Sequence, residues 1–405
     1  MSSRTLALAS LYTLLVAGVT LADSNAAGKF SRLTPTAEYF AQRETGKVTR
    51  DVAAQIKYLF YEDFEAPLYQ PGGYFEPWKG IPDRFIRYSL AFTSYALANV
   101  ALIDSSLRPL ATHGIDFAIQ KLKHKRMWQD WQEDGFGKQD VTHATLEDAV
   151  AKGNIMYKGH LNTMYGLFQL LSKDTRYQED HKSLTQNIVN ELEANPYAGI
   201  VCEPDNYFPQ CNTVTYLSLF LYDRLHGTDY GGKYAKVWTE WLEKHLVDPQ
   251  TGTLYLSYHP SLQTAKPYVS AYTTAWSLVF IHGMDPAFAE KHYPDFKQTF
   301  LRVSADGRKA YVRETNDTED QDSLASCFAL LLAKEMGDVE TFDRLMNDLE
   351  EQAKPKFVNG QLVYENKTNF LLPDMLLWAK VNLGTRALIE ADWPGAQQER
   401  QARAK

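Results

Sequence analysis

The chain has little cysteine and no excess of positive charge. Only three cysteines occur in 405 residues, and the formal net charge is −8 at pH 7. Such a charge offers no basic surface for nucleic acid or for an anionic membrane face. Three cysteines cannot all pair within one chain, so at least one thiol lies outside any intramolecular disulfide. Hydrophobic residues, at 44%, and aromatic residues, at 13%, are plentiful enough for a large core.

Short catalytic motifs are also missing from the sequence. It contains no His-Glu-x-x-His, no Cys-x-x-Cys, no phosphate-binding glycine loop and no Gly-x-Ser-x-Gly. The acidic stretch 316–322 lacks the Asp-Asp-x-x-Asp spacing of a metal-diphosphate site, and we interpret it as a solvated loop. The chemistry must therefore be sought in less regular groupings of side chains.

The N-terminus has the pattern of a secretory signal peptide. A short charged start, 1–4, precedes a mostly apolar run, 5–21, and small residues at Ala22, Ala26 and Ala27 offer cleavage sites. We expect 1–26 to be a leader that is removed on export. The remainder, 27–405, is expected to form a single domain.

Apolar residues recur at helical spacing along most of the mature chain. This spacing predicts about twelve helices in sequential pairs, with a short strand at 254–259 and a hairpin at 357–364. Residues 138–152 are polar and predict a surface insertion with a weak helical signal. The simplest architecture is all-α, an (α/α) barrel of helical hairpins around a central cavity. The predicted helices with bounds that matter below include 107–134, 286–302 and 371–390.

Two of the cysteines, Cys202 and Cys211, lie in one stretch, 199–212, whose prolines at 204 and 209 forbid a continuous helix. This pattern predicts an ordered loop, and such loops carry chemistry when a rigid scaffold holds them. A disulfide between the two cysteines would add roughly 2.5 to 3 kcal/mol in the chain-entropy model, with Cys327 buried as a small hydrophobe. Two working thiols are the alternative, and the spacing alone leaves both open.

Other polar residues in apolar settings are candidates with equally plausible structural roles. His160 shares a predicted helix face with Met156 and could be a hydrogen-bonded core histidine or a catalyst. Asp130 and Glu133, among tryptophans, could form the carboxylate pair of a glycosidase or a solvated helix end.

Four strings of residues resemble the linalool dehydratase/isomerase family. They are 154–161, 199–212, 221–230 and 268–276, and the resemblance runs from about Tyr39 to Gly384. It implies an (α/α)6 barrel, a periplasmic enzyme without a cofactor, and a homopentamer whose active sites lie at subunit contacts. The implied reactions are reversible dehydration of linalool to myrcene and isomerisation between linalool and geraniol, so the implied ligand is a small apolar allylic alcohol. From the negative net charge we expect no nucleic-acid binding, and we also expect no metal site and no membrane insertion after the leader is removed.

Carried over residue by residue, the resemblance places the family's site on nine positions of this chain. The implied catalytic residues are Asp63, Tyr69, His160, Cys202 and Cys211, and the implied substrate-binding residues are Tyr88, Met156, Phe208 and Tyr272. Asp63 and Tyr69 would come from the neighbouring subunit. We hypothesise that Asp63, helped by Tyr69, acts on the hydroxyl, and that the two thiols with His160 form the opposing acid/base set. A covalent thioether intermediate is a further option.

The chain departs from the family at a second cysteine pair, whose positions are Gly73 and His124 here. That structural disulfide is therefore missing. If Cys202 and Cys211 work as thiols, activity should depend on reducing conditions. Two other interpretations stay open: a carbohydrate-active hydrolase or epimerase using Asp130, Glu133 or Glu203 with Asp205, and a binding protein for apolar alcohols without turnover.

Overall fold

The structure is a computed structural model that describes residues 32–60, 85–128, 145–315, 321–366 and 371–397. Several sequence predictions lie outside these residues. They are the leader, most of the insertion, the stretch 316–320, and the individual residues Asp63, Tyr69, Gly73, Asp130 and Glu133.

Helices dominate the described chain, and the apolar spacing of the sequence explains most of them. In chain order they are α1 (Thr36–Thr45), α2 (Arg50–Leu59), α3 (Ile86–Ile103), α4 (Arg108–Leu122), α5 (Lys125–Trp128), α6 (Leu146–Ala151), α7 (Ile155–Ser172), α8 (Gln178–Ala194), α9 (Pro209–His226), α10 (Tyr230–His245), α11 (Ala271–Met284), α12 (Pro286–Phe300), α13 (Ser323–Glu335), α14 (Val339–Ala353), α15 (Leu372–Val381) and α16 (Thr385–Glu390).

Six of these helices form a closed inner ring. Around it α3 packs on α7, α7 on α9, α9 on α11, α11 on α13, α13 on α15, and α15 returns to α3. Each of the six is buried on nearly all sides. Among the described residues, α3 alone is long and apolar enough to cross a membrane by length and composition, and 83% of that window is buried inside the barrel.

An outer layer of amphipathic helices covers the ring. Between successive inner helices lie α4, α8, α10, α12 and α14, while α1 and α2 cover the junction of α15 and α3. The outer helices bury one face and expose the other, as in α14, where Phe342, Leu345 and Leu349 are buried. The predicted all-α fold, an (α/α)6 barrel of helical hairpins, is confirmed.

Strands are confined to three two-stranded antiparallel hairpins in the described chain. They pair β1 (Tyr258–His259) with β2 (Thr264–Ala265), β3 (Leu301–Val303) with β4 (Ala310–Val312), and β5 (Pro355–Val358) with β6 (Gln361–Tyr364). The hairpin predicted at 357–364 is confirmed, with Phe357 opposite Leu362. The strand predicted at 254–259 is reduced to Tyr258–His259, with isolated bridges at Leu254 and Tyr255.

Three predicted helix bounds are wrong. The helix predicted over 107–134 ends at Leu122 as α4, because the Leu122 carbonyl accepts a hydrogen bond of 2.8 Å from the Tyr157 hydroxyl of α7. The helix predicted over 371–390 breaks into α15 and α16 at Gly384, which has a φ of 101°. The helix predicted over 286–302 ends at Phe300, where β3 begins.

A buried ionic cluster joins the first helices to the last inner one. Lys380 Nζ on α15 lies 2.8 Å from Asp51 Oδ2 on α2 and 2.7 Å from Glu350 Oε1 on α14, and all three side chains are at most 1% exposed. Asp51 also accepts hydrogen bonds from the hydroxyls of Thr34, Tyr39 and Thr49. We refer to Lys380, Asp51 and Glu350 as the seam cluster, since they lie where the ring closes.

Candidate active site

The loop that carries Cys202 is held against the start of α9 by Asn212. Its side-chain Oδ1 accepts from the Ile200 N–H at 2.9 Å, and its Nδ2 donates to the Ile200 carbonyl at 3.0 Å. Cys211 immediately precedes Asn212, and Cys202 lies two residues after Ile200. One asparagine therefore brings the two cysteines together from opposite ends of the loop.

The two cysteines lie in hydrogen-bond contact as free thiols. Cys202, Cys211 and Cys327 are all buried and unpaired by disulfide. The Cys211 thiol donates to the Cys202 sulfur, and the Met156 backbone N–H is a second hydrogen-bond donor to that sulfur. The hydrogen bond from Cys211 lowers the pKa of Cys202, and burial raises the pKa of Cys211 well above its usual value. The pair thus consists of a more acidic thiol and a less acidic one.

Gly199 allows the loop to approach this closely. A Cβ at this position would lie 2.2 Å from Tyr207 Cε2 and 2.9 Å from Asn212 Oδ1. We expect Gly199→Ala to destabilise the protein by about 1–3 kcal/mol through overpacking, and to slow oxidant-induced pairing of Cys202 with Cys211 because Asn212 is displaced. Urea unfolding and thiol counting after diamide treatment measure both effects.

The matched control for that substitution is Gly307→Ala. Nothing lies within 4 Å of a Cβ at Gly307, although its φ of 71° is in the left-handed region. This variant should therefore carry only the conformational cost of about 1 kcal/mol and leave thiol pairing unchanged. A Gly199→Ala variant that is no less stable than this control, with unchanged thiol pairing, would contradict the role assigned to Gly199.

His160 is a buried, neutral imidazole. Its Nδ1 lies 2.7 Å from the Tyr95 hydroxyl on α3, while its Nε2 is buried without a hydrogen-bond partner among the described residues. Burial, reinforced by the charge of Arg87, lowers the pKa of His160 to about 3. The two nitrogens of a neutral ring take opposite hydrogen-bonding roles. Nε2 therefore remains available to a hydroxyl or a water molecule.

Aromatic rings surround this imidazole. The Tyr88 ring lies 5.9 Å from the His160 ring and 6.0 Å from the Trp276 ring, and Phe92 lies 5.9 Å from His160. Trp276 in turn stacks on Phe328 with centroids 4.4 Å apart. Aromatic faces of this kind stabilise a cation placed over them. The site therefore suits an apolar ligand on which positive charge develops.

Tyr272 belongs to the opposite wall, at the start of α11. Its hydroxyl accepts from Gln210 Nε2 at 3.2 Å, and its backbone N–H donates to Glu314 Oε2 at 3.0 Å. The Ser270 hydroxyl donates to the other Glu314 oxygen. Burial raises the pKa of Glu314 to about 7. Glu314 thus fixes the helix end from which Tyr272 projects.

The structure accounts for each sequence-predicted site residue that it describes. It brings His160, Cys202, Cys211, Tyr88 and Met156 together, with Phe208 as the half-buried N-cap residue of α9. Tyr272 is linked to the same group through Gln210, next to Cys211. Asp63 and Tyr69 lie outside the described residues.

Glu203 and Asp205, the acids of the carbohydrate interpretation, are exposed. Both carboxylate oxygens of Asp205 accept hydrogen bonds from Ser261, on the turn between β1 and β2. Asp205 therefore holds the loop against that hairpin.

Within the described residues, no group of three His, Cys, Asp or Glu side chains could hold a metal ion.

Besides Phe92 and Phe328, sequence reasoning missed five residues of the site, and only some left a signal. Tyr95 follows Tyr88 by seven positions and Trp276 follows Tyr272 by four, which are the spacings of a shared helix face. Such spacing could have identified both. The others meet the site only through tertiary packing, and they are Arg87, Gln210 and Glu314.

Solved structures with a similar fold include two that were determined in complex with carbohydrates. An inactive variant of alpha-1,6-mannanase from Salegentibacter sp. HEL1_6, in complex with alpha-1,6-mannotetrose, matches with a TM-score of 0.51 and 14% identity over 82% of this chain and 98% of that one. Dfg5 from Chaetomium thermophilum, in complex with glucosamine, matches with a TM-score of 0.51 and 12% identity over 89% of this chain and 93% of that one. At these identities the likeness concerns the fold alone.

The fold and the site define an (α/α)6-barrel protein with a buried pair of thiols beside a neutral imidazole and aromatic walls. The sequence profile of the linalool dehydratase/isomerase family matches residues 87–182 and 174–370. These segments cover all the inner helices from α3 to α13 except the first residue of α3. The chain belongs to the linalool dehydratase/isomerase family.

Proposed function

We propose that the protein dehydrates linalool to myrcene reversibly and isomerises linalool and geraniol, using its thiols in acid/base catalysis without a cofactor. One observation carries this proposal. Cys202 and Cys211 form a hydrogen-bonded thiol pair of unequal acidity in a buried aromatic setting, within a chain of this family. A proton can be taken by one sulfur while the other stays protonated, as reversible proton transfer requires.

The reaction needs an acid at the oxygen and a poorly solvated cation site at the carbon skeleton. Hydroxide is a poor leaving group, so the oxygen must be protonated as the C–O bond breaks. The allylic cation that develops is stabilised by ring faces, and those of Tyr88, Phe92 and Trp276 lie around His160. Burial of the side chains around His160 limits the access of water, and this limits capture of the cation at the wrong carbon.

In this scheme the thiol pair acts on the carbon skeleton of the substrate, away from its hydroxyl group. Cys202 is the more acidic thiol, so its thiolate takes the proton that leaves the carbon next to the cation, which gives the diene. Cys211 stays protonated and keeps its hydrogen bond to the Cys202 sulfur. His160 is neutral because its pKa is about 3, so it hydrogen-bonds through Nε2 and does not act as a cationic acid.

We assign protonation of the substrate hydroxyl to Asp63, assisted by Tyr69. Both residues lie outside the described chain, and family resemblance assigns them to the neighbouring subunit of a homopentamer. Their carboxyl and phenol groups would protonate the leaving oxygen. The proposed location is the periplasm, with the leader 1–26 removed, where the thiols must escape oxidation to each other.

The test is product formation by the mature protein under anaerobic conditions. Linalool is supplied with dithiothreitol, and myrcene and geraniol are quantified by gas chromatography. We expect both products with reductant and their loss after diamide treatment, because oxidation joins Cys202 to Cys211. Dithiothreitol added after diamide should restore them.

Aryl glycosides, offered to the same preparation, provide the opposing assay. Hydrolysis of a glycoside with no product from linalool would overturn the proposal in favour of the carbohydrate interpretation. Saturable linalool binding without either product would favour a binding protein. Both outcomes require folded protein, which circular dichroism establishes.

A further inference from the structure

A chain of buried polar groups leads from His160 across three inner helices. The Tyr95 hydroxyl on α3 lies 2.7 Å from His160 Nδ1 on α7. Thr163, which follows His160 by three positions and so shares its face of α7, is hydrogen-bonded to Tyr95 as well. The Thr163 hydroxyl in turn donates to the Val214 carbonyl on α9 at 3.1 Å. We refer to these four groups as the polar chain; its three side chains are 0% exposed, so bulk water does not compete for their hydrogen bonds.

His160 carries a single ring hydrogen at neutral pH, because burial lowers its pKa to about 3. That hydrogen is either on Nδ1 or on Nε2. The nitrogen that carries it is a donor, and the other is an acceptor. The location of one hydrogen therefore determines what His160 offers to a ligand, and the hydrogen bond at Nδ1 determines that location.

The far end of the polar chain sets the direction of its hydrogen bonds. A backbone carbonyl can only accept, and a hydroxyl has a single hydrogen to donate. Because the Val214 carbonyl takes the hydrogen of Thr163, the Thr163 oxygen can only accept from Tyr95. The hydrogen of Tyr95 is then used in turn, so the Tyr95 oxygen accepts from His160. This network of hydrogen bonds assigns the hydrogen of His160 to Nδ1.

The reverse direction would cost one hydrogen bond. Thr163 would have to turn its hydrogen from the Val214 carbonyl to Tyr95, and Tyr95 would then donate to Nδ1. Only two of the three contacts of the polar chain would then be hydrogen bonds, whereas the forward direction keeps all three. Buried polar groups favour the arrangement that satisfies more of them.

We propose that Tyr95 and Thr163 are positioning residues that hold His160 as the Nδ1–H tautomer, so that its Nε2 accepts the hydrogen of the substrate hydroxyl. An acceptor at Nε2 leaves the lone pairs of the substrate oxygen free for the acid that protonates the leaving group. It also selects alcohols over ethers, since an ether has no hydrogen to donate. The role toward the substrate rests on the proposed function, whereas the tautomer does not.

The tautomer is measured without substrate, so the result does not depend on the proposed terpene chemistry. The mature protein is prepared with isotope-labelled histidine, and its imidazole nitrogens are observed by magic-angle-spinning NMR at pH 7. Protonated and unprotonated nitrogens of a neutral ring have well-separated shifts, and Nδ1 is recognised by its bond to Cγ. The signals of His160 are those that are missing from His160→Gln. We expect a protonated Nδ1 and an unprotonated Nε2.

Thr163→Val is the decisive variant, because it removes the hydroxyl and nearly conserves the volume. Tyr95 then loses its acceptor and donates to Nδ1 instead, so the hydrogen of His160 should move to Nε2. Thr163→Ser retains the hydroxyl and should retain the Nδ1–H tautomer. Tyr95→Phe removes the acceptor of the Nδ1 hydrogen and should also move the hydrogen to Nε2.

Ser94→Ala is the matched control. Ser94 directly precedes Tyr95, is 0% exposed, and donates to the Leu90 carbonyl at 2.7 Å. It is a buried hydroxyl outside the polar chain, so its loss should leave the tautomer unchanged. A His160 hydrogen on Nε2 in the wild type would overturn the proposal, whichever variants fold. An unchanged tautomer in folded Thr163→Val, or an equal change in Ser94→Ala, would overturn it as well.

The consequence for the substrate is measured separately. We expect kcat/KM for linalool to fall about 10–10²-fold in Thr163→Val, as for one buried hydrogen bond lost, and to be kept in Thr163→Ser. Binding calorimetry in a Cys202→Ala background should show that linalool binds more tightly than its methyl ether, and that Thr163→Val abolishes this preference. A tautomer that changes as expected in a protein without turnover would support the polar chain and count against the linalool reaction alone.

Discussion

Cys202→Ser is expected to reduce kcat/KM for the linalool reaction by about 10²–10⁴-fold, the range typical of a lost acid/base group. The serine hydroxyl nearly matches the thiol in size but is far less acidic, so it supplies no anionic base. Gas chromatography of myrcene and geraniol over a range of linalool concentrations gives the constants. Far-ultraviolet circular dichroism and the urea midpoint establish that the variant is folded.

Two further cysteine variants sharpen this prediction. Cys211→Ser keeps a hydroxyl that can still donate to the Cys202 sulfur, so it should lose less activity than Cys202→Ser. Cys327 lies on α13 away from the pair, and burial raises the pKa of its thiol. Cys327→Ala should therefore retain full turnover. A Cys202→Ser enzyme that keeps more than about a tenth of the wild-type kcat/KM would refute the role of this sulfur as the base.

Lys380→Met is expected to destabilise the protein by about 3–5 kcal/mol, because it removes one partner of a buried ion pair and leaves carboxylates without compensation. Methionine fills a similar volume, so cavity formation adds little. Asp51 and Glu350 would remain buried at the junction of α2, α14 and α15. Equilibrium urea unfolding monitored by tryptophan fluorescence at pH 7 measures the loss.

The stability lost in Lys380→Met should depend on pH, and the pKa of Asp51 determines the direction of that dependence. Burial alone would raise the pKa of Asp51, but Lys380 and the hydroxyl donors outweigh burial and lower it. In the wild type, Asp51 therefore contributes stability above its unfolded pKa of about 3.9, and this contribution is lost on acidification. Without Lys380 burial dominates, the folded pKa rises, and the carboxyl favours folding only when protonated. The stability gap between variant and wild type should narrow as pH falls from 7 towards 4.

Lys233→Met is the control for charge removal at the surface. Lys233 pairs with Glu193 at 3.1 Å, with side chains 59% and 53% exposed. Such an exposed pair contributes little to stability, so we expect no measurable change in the urea midpoint. Equal losses for Lys233→Met and Lys380→Met, or a gap that widens at acidic pH, would be inconsistent with the charge balance assigned to the seam cluster.

The barrel could be predicted from sequence because its two layers leave different patterns. Inner helices such as α7 are largely apolar and are buried on nearly all sides, whereas outer helices such as α14 have one buried and one exposed side at helical spacing. Their sequential alternation implies hairpins. The early end of α4 could not be predicted in this way, because no glycine or proline directly follows Leu122. The Leu122 carbonyl accepts its hydrogen bond from Tyr157, which lies on a different helix. The sequence shows a glycine at position 384, but it does not show the positive φ that this residue adopts between α15 and α16.

Some residues of the candidate site could likewise be predicted from the sequence, and others could not. Cys202 and Cys211 are close in sequence, and the prolines between them predict a loop that folds back, so their meeting could be anticipated. His160 was weighed from its apolar surroundings, and family resemblance singled it out. Arg87 could not be linked to Cys202 from local sequence, because their proximity follows from α3 packing beside α7 in the closed ring. The pKa of Cys202 is lowered chiefly by the hydrogen bond from Cys211, and the charge of Arg87 adds to that effect.

Closure of the ring between α3 and α15 also has a consequence for how the protein folds. The first inner helix packs against the last one, so one flank of α3 has no partner until almost the whole chain has been synthesised. Contacts between such distant segments slow folding and leave apolar surface uncovered meanwhile. The chain therefore depends most on protection from aggregation late in its synthesis, and fragments that stop before α15 are expected to be poorly soluble.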